Sequence, residues 1–441
     1  MGMIRVKKGI IVILCMLIFG VGCSEDTEEE SANGGDSSME VTGYWTGAID
    51  IPNQPLQINV EFESEDEFTG VISIPAQGVQ DYPLSSLSLD GESIAFVMEM
   101  PGKSASFDGE VGEETITGTF AQGGQSFPFE LTKGEPPAAA DAEEEGEFLE
   151  IETDLGTLTG ELETPDGDGP FPVMLLIPGS GPADRNGNAQ GVNADSLKLV
   201  AENLAEAGVA SVRYGKRGAG KNQQAIISEE EMNFDQFVED AKLWVESLDA
   251  NDNYTDVGII GHSQGSLVGM LAAHESNVDA FVSIAGAGSS IDKVIYDQLS
   301  EQLPENLLSE SEEILQQVKE GNQVEDVTQE LESIFRPSVQ PFLTSWMQYD
   351  PAVEIQKLDI PTLLVNGDRD IQVPVSEAET LYEAKDDSEL IIIEDLNHVL
   401  KEAPEDREGN VATYADPNLP LADGLMDGIV EFLRESATFD F

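Results

Sequence analysis

The chain has 441 residues, with 86 Asp and Glu against 21 Lys and Arg, for a formal net charge of −65. That balance excludes nucleic-acid binding, because phosphate needs cationic partners, and it excludes adhesion to anionic headgroups without an anchor. The length suits two domains plus processing segments, and so acidic a surface, self-repelling unless salt screens it, fits an exported protein of a salt-rich habitat.

Arg5, Lys7 and Lys8 precede a 14-residue apolar run from Gly9 to Gly22. A bilayer span needs about 20 residues. A basic start, a short apolar core and small residues before a cut form a signal-peptide layout, expected over 1–22. Cys15 leaves with it, so Cys23 is the sole cysteine of the processed chain and no internal disulfide can form. Gly20-Val21-Gly22-Cys23 resembles a lipobox, departing from it at Gly20, where leucine is usual. The resemblance implies lipidation of Cys23 and anchoring to the outer face of the cell membrane. A plain secretory signal is the alternative. Residues 23–40 then read as an acidic tether, with seven carboxylates between Ser24 and Glu40.

Residues 41–133 alternate in the manner of short strands. Leu56 to Phe62, Phe68 to Ile74, Ile94 to Met98, Ala105 to Val111, Thr115 to Phe120 and Ser126 to Leu131 are the runs. Asp90-Gly91, Asp108-Gly109 and Gly123-Gly124 are the expected turns. This predicts an all-β sandwich or barrel. Tyr44-Trp45 and Phe127-Pro128-Phe129 could line a groove, but aromatics at strand spacing are more often core. A Pro-rich, acidic linker follows over 134–147.

From 148 to 441 strand and helix patterns alternate, as in a doubly wound α/β sheet. Phe148 to Thr153 and Thr157 to Glu163 read as an antiparallel pair, and Pro172 to Ile177 as a buried strand. Helices are expected over Asp195 to Ala207 and Phe234 to Leu248, the second turning Phe234, Phe237, Val238, Ala241, Trp244 and Val245 to the sheet. Further strands fall at Val209 to Arg213, Val257 to Ile260, Ala280 to Ala285, Pro361 to Asn366 and Leu390 to Ile393. One crossover helix would join the strands at 280 and 361. The helical insertion of about 289–349 is longer than that, and is expected to cap the strand ends.

Gly261-His262-Ser263-Gln264-Gly265 stands between a strand and a helix, the setting of a nucleophile elbow. A serine that attacks a carbonyl must project from a sharp turn, and glycines at 261 and 265 allow the close packing this needs. Its base must be a histidine. His262 lies inside the elbow and points away from Ser263, and His274 reads as a surface or packing residue. His398 follows the strand at 390–393. Asp368 and Asp370 follow the strand at 361–366. The chain order Ser, Asp, His results, at the strand ends where ligands of parallel sheets gather.

These motifs make residues 148 to 437 resemble the α/β-hydrolase family. The loops Pro178-Gly179-Ser180-Gly181-Pro182-Ala183-Asp184-Arg185 and Arg213-Tyr214-Gly215-Lys216-Arg217-Gly218-Ala219-Gly220 are similar to those of exported bacterial esterases of the dienelactone-hydrolase-like branch. That branch often has Asp where this chain has Gly215. The resemblance implies a catalytic triad of Ser263, His398 and Asp370, with Asp368 the rival acid. It implies an oxyanion hole from the backbone of Gln264 and of Ser180, and a small ester as substrate. Asp184 and Arg185 read as loop braces, with Arg213 and Arg217 as their expected partners. No metal cluster, phosphate loop or dinucleotide fingerprint occurs in the sequence, so no cofactor is expected. Two other readings stay open. One is a serine peptidase of prolyl-oligopeptidase type, for whose propeller the β segment is short. The other is a binding lipoprotein with a vestigial hydrolase unit.

Overall fold

The computed structural model describes residues 41–50, 56–64, 68–74, 79–100, 103–112, 114–122, 125–134, 146–189, 191–300, 302–436, 439 and 441. The expected signal segment, Cys23, the acidic tether, the Gly123-Gly124 turn and the linker except Gly134, Gly146 and Glu147 lie outside the described residues. The chain divides into two compact units, one ending at Glu145 and the other resuming at Gly146.

The first unit is a nine-stranded antiparallel meander: β1 (Gly43–Ile49), β2 (Leu56–Ser64), β3 (Phe68–Ile74), β4 (Val79–Pro83), β5 (Ser86–Asp90), β6 (Ser93–Met100), β7 (Lys103–Val111), β8 (Thr115–Gln122) and β9 (Gln125–Lys133). The order β4-β3-β2-β1-β9-β8-β7-β6-β5 joins the first strand to the last. One seam remains, between β4 and β5. There the Leu84 N–H donates to Gly70 of β3 and the Ser85 N–H to Val97 of β6, both at 2.9 Å. The sheet therefore rolls into a barrel around one core that holds Trp45, Phe62, Phe96, Phe107 and Phe129. Phe96 and Phe107 are cross-strand partners, stacked at 4.6 Å. Trp45 is wholly buried and its indole N–H donates to Val41, so it and Phe129 are core residues. Asp90-Gly91 does turn the chain, with Gly91 at φ +64°. Asp108-Gly109 does not. Gly109 sits inside β7 opposite Gly118, where a side chain would come within 3.0 Å of the Thr117 carbonyl. There glycine serves close strand approach, not a turn.

The second unit is an eight-stranded sheet: β10 (Glu147–Thr153), β11 (Gly156–Glu163), β12 (Phe171–Ile177), β13 (Ala210–Tyr214), β14 (Tyr254–His262), β15 (Ala280–Ile284), β16 (Thr362–Gly367) and β17 (Glu389–Ile393). Its order is β10-β11-β13-β12-β14-β15-β16-β17. β10 and β11 attach antiparallel, and all pairings from β13 to β17 are parallel. The winding reverses at β12, which lies between β13 and β14. Such a switch point opens a crevice at the carboxyl ends of the strands.

Helices α1 (Ser196–Ala207), α2 (Phe234–Asp249), α3 (Gln264–Glu275), α4 (Ile291–Ser300), α5 (Glu305–Lys319), α6 (Glu332–Phe335), α7 (Gln340–Trp346), α8 (Pro351–Glu354), α9 (Val375–Ala384), α10 (Arg407–Ala412) and α11 (Leu425–Glu435) complete the unit. Buried strands alternate between two cores. Val173, Leu175 and Ile177 of β12 join α2 and α3, whereas Met174 and Leu176 join α1 and α11. The insertion α4–α7 contributes Ile295, Leu315, Val318, Phe335 and Phe342 to the first of these cores. It is thus packed as part of the unit. The start of α2 also meets the cap. Phe234 stacks on Trp346 of α7 at 5.4 Å, and Phe237 meets Phe342 edge-on at 5.6 Å. These two rings hold the cap while belonging to the same core as the sheet residues of β12. Among the described residues no helix is long and apolar enough to cross a membrane.

Candidate active site

Ser263 sits at the junction of β14 and α3, at φ 55° and ψ −120°. A non-glycine residue there is strained, by about 1–3 kcal/mol. The turn is kept by its neighbours. The Ser263 N–H donates to Ile284 of the adjacent strand at 2.9 Å. A side chain at Gly261 would lie 2.3 Å from the Gly265 carbonyl, and one at Gly265 2.3 Å from the Ile177 carbonyl. Both obstacles are backbone and cannot swing away, so only glycine permits the packing.

His398 follows β17 and is nearly buried. Its Nδ1 lies 2.8 Å from Oδ2 of Asp370. A carboxylate only accepts, so Nδ1 carries a proton, and in the neutral ring the lone pair is left on Nε2. The other oxygen of Asp370 accepts the N–H groups of Gln372 and Val373, at 2.8 and 2.9 Å. That fixes the carboxylate in the plane the histidine needs. Asp368 is turned elsewhere and accepts the Asp395 N–H at 2.7 Å. His398 therefore meets Asp370 and not Asp368.

Ser180, Ser263 and Gln264 line one cavity. Gln264 begins α3, where a helix leaves its first N–H groups unpaired. Among the described residues neither the Gln264 N–H nor the Ser180 N–H has an acceptor. Both stand beside Ser263 and can take a developing oxyanion. The cap forms the far walls with Ile295, Ile334, Leu343 and Trp346. Its entry is pinned by Glu377 of α9, which accepts the N–H groups of Gly288 and Ser289 at 2.8 and 2.7 Å.

The arginine loop is wired differently from expectation. Arg213 pairs with Glu161 at 2.8 Å and Glu163 at 3.2 Å, and Arg185 also binds Glu161. Arg217 pairs with Asp240 at 2.5 Å. Among the described residues Asp184 takes no arginine. It accepts the N–H groups of Asn186 and Asn188 at 2.8 and 2.9 Å, and burial raises its carboxyl above the usual range. The acidic partners come from β11 and α2, which the short motif did not reveal. At the position of Gly215, a side chain would crowd Ala219, Arg185 and Asp184 at 3.2 to 3.4 Å.

The second unit is thus a mostly parallel α/β sheet with its sharp turn at the carboxyl end of β14. Residues 191–404 match the sequence model of the family described as serine aminopeptidase, S33 (Hydrolase_4). Esterase EstD of Thermotoga maritima is 28% identical over 267 residues, 57% of this chain. The match covers 60% of that esterase's length. Est1E from Butyrivibrio proteoclasticus superposes with a TM-score of 0.44 and 18% identity, over 66% of this chain and all of that one. The Pyrococcus furiosus esterase Pf2001 gives 0.42 and 18%, over 66% and 92%.

Two residues emerge that sequence reasoning passed over. His262, set aside in the sequence as part of the elbow, has its Nε2 2.8 Å from the backbone carbonyl of His398. The carbonyl accepts, so Nε2–H donates. Burial and the neighbouring His398 push its pKa down to about 4. His262 thus ties the strand bearing Ser263 to the loop bearing His398. The second is Lys216. It lies over the Phe237 ring and donates to Oε1 of Gln264, holding that side chain at the floor of the cavity. His274 binds the Glu354 carbonyl at 3.0 Å and is a packing residue.

Proposed function

We propose that the protein is a serine hydrolase that cleaves carboxylic esters through an acyl-enzyme on Ser263. The observation that carries this reading is the ordered set at the strand ends. A strained Ser263 faces an apolar cavity, and a histidine with its Nε2 lone pair free is oriented by Asp370 at 2.8 Å. In the first half-reaction the Ser263 hydroxyl oxygen bonds to the acyl carbon and its proton passes to Nε2 of His398. Asp370 stabilises the imidazolium. The carbonyl oxygen takes the negative charge and accepts from the Gln264 and Ser180 N–H groups, each worth about 3 kcal/mol in the transition state. The tetrahedral centre collapses, the alkoxide leaves, and His398 returns the proton to it. Water, deprotonated by His398, repeats the sequence and frees the acid and Ser263.

The finer features extend the same reading. The loops at Pro178–Arg185 and Arg213–Gly220 support a place in the dienelactone-hydrolase-like branch. The basic start, the short apolar run and Cys23 support export and a lipid anchor on the outer face of the membrane, with the acidic tether as spacer. The net charge of −65 supports work in a salt-rich medium. Hydrolysis of p-nitrophenyl acetate and butyrate in high salt, beside Ser263→Ala, tests the central reading. Turnover lost in the variant is the expected result. Equal turnover in both proteins would refute it.

A further inference from the structure

The cavity beside Ser263 has no charged side chain in its lining among the described residues. That is unusual in a chain with 86 carboxylates among 441 residues. An ionic group moved into such a space would lose its water and gain no partner. A free α-ammonium in particular would find no carboxylate there, so the site is built against aminopeptidase substrates. Apolar groups meet the opposite situation. The cap offers Ile291, Val294, Ile295, Ile334, Leu343 and Trp346, all facing the same space.

The lining also decides which half of an ester enters. The oxyanion donors Ser180 and Gln264 line the cavity with Ser263, and His398 does not. The leaving oxygen must face His398, because the imidazolium protonates it. With the carbonyl oxygen between the two N–H groups and the leaving oxygen toward His398, the substituent left for the cavity is the acyl chain.

Resting on the serine-hydrolase reading above, we propose that the cap cavity is an acyl pocket for neutral, apolar acyl groups longer than acetyl, with Val294 among the residues that set the accepted length. Each methylene buried there raises kcat/KM about fourfold. The alcohol half, which lies outside the cavity, exerts no comparable selection.

Two substrate series test this on the full chain: p-nitrophenyl esters from acetate to octanoate, and alkyl acetates from methyl to hexyl. Val294 is only partly buried, so Val294→Trp fills the cavity without opening a void elsewhere. The expected result is a kcat/KM that climbs along the acyl series and is flat along the alcohol series. In Val294→Trp the hexanoate-to-acetate ratio falls at least tenfold and the hexyl-to-methyl acetate ratio holds. Val294→Ala moves the acyl optimum to longer chains. Selection on the alcohol series alone, or an unchanged acyl ratio in Val294→Trp, would overturn the assignment while leaving the serine hydrolase intact. Faster cleavage of leucine p-nitroanilide than of any ester would overturn the neutral acyl class. No ester turnover together with no fluorophosphonate label on Ser263 would remove the hydrolase reading and the pocket assignment with it.

Discussion

At Ser263 the backbone holds a conformation that glycine adopts freely and serine does not. Removing the hydroxyl alone keeps that strain, whereas removing the Cβ relieves it. Ser263→Gly is therefore expected to be about 1 kcal/mol more stable than Ser263→Ala in urea unfolding, with both inactive. Equal midpoints would mean that the turn carries no strain. His262 makes a second residue-scale prediction. Its folded pKa is lowered to about 4 from 6.5. As pH falls from 6.5 toward 4 the unfolded chain takes a proton that the folded ring refuses, so stability drops over that window. The loss is at most about 3 kcal/mol, and less to the extent that the half-buried ring keeps solvent. His262→Phe lacks this component, so the stability gap between wild type and variant narrows as pH falls. Parallel stability curves would contradict the neutral, donating His262. Ser263 and His398 were legible as candidates because strand, turn and chain order constrain them locally. His262 was not, since its partner is a carbonyl 136 positions away.

Among the elements, the cap decides how the site is enclosed. Its existence could be read from an insertion too long for one crossover. Its attachment could not, because the contacts join segments about a hundred residues apart. Glu229, before α2, receives Arg336 through Nε at 2.9 Å and through a second nitrogen, and also binds Ser338. The Phe234 N–H donates to Ser345 of α7 at 2.8 Å. Glu229 is buried, and Arg336 keeps 24% of its side chain exposed. Arg336→Ala strands the carboxylate and is expected to destabilise by on the order of 2 kcal/mol, below the range of a fully buried pair. Glu229→Leu combined with Arg336→Met removes both charges and should recover most of that loss. A double variant as unstable as the single one would show that the pair itself, not the orphaned charge, sets the energy.

For the whole molecule, composition spoke to environment and patterning spoke to architecture. Alternation along β2, β3 and β6 to β9 exposed an all-β unit. The choice between sandwich and barrel depended on the pairing of β1 with β9, which no local pattern reports. β1 and β4 carried too little regular alternation to stand out, and β5 alternates over only five residues. The acidic excess acts on both units at once. With 86 acids and 21 bases most carboxylates have no cation to pair with, and their repulsion falls as the Debye length shrinks from about 10 Å at 0.1 M salt to about 3 Å at 1 M. The melting temperature is expected to rise steeply with NaCl up to molar concentration. A flat response would contradict the salt-adapted surface.

The proposed chemistry turns on a covalent intermediate at one oxygen. Brief mixing with p-nitrophenyl butyrate, an acid quench and peptide mass analysis would test it most directly. The prediction is one butyryl group on the peptide containing Ser263, absent in Ser263→Ala and cleared when quenching is delayed. Butyrylation of another residue, or hydrolysis undiminished in Ser263→Ala, would contradict it.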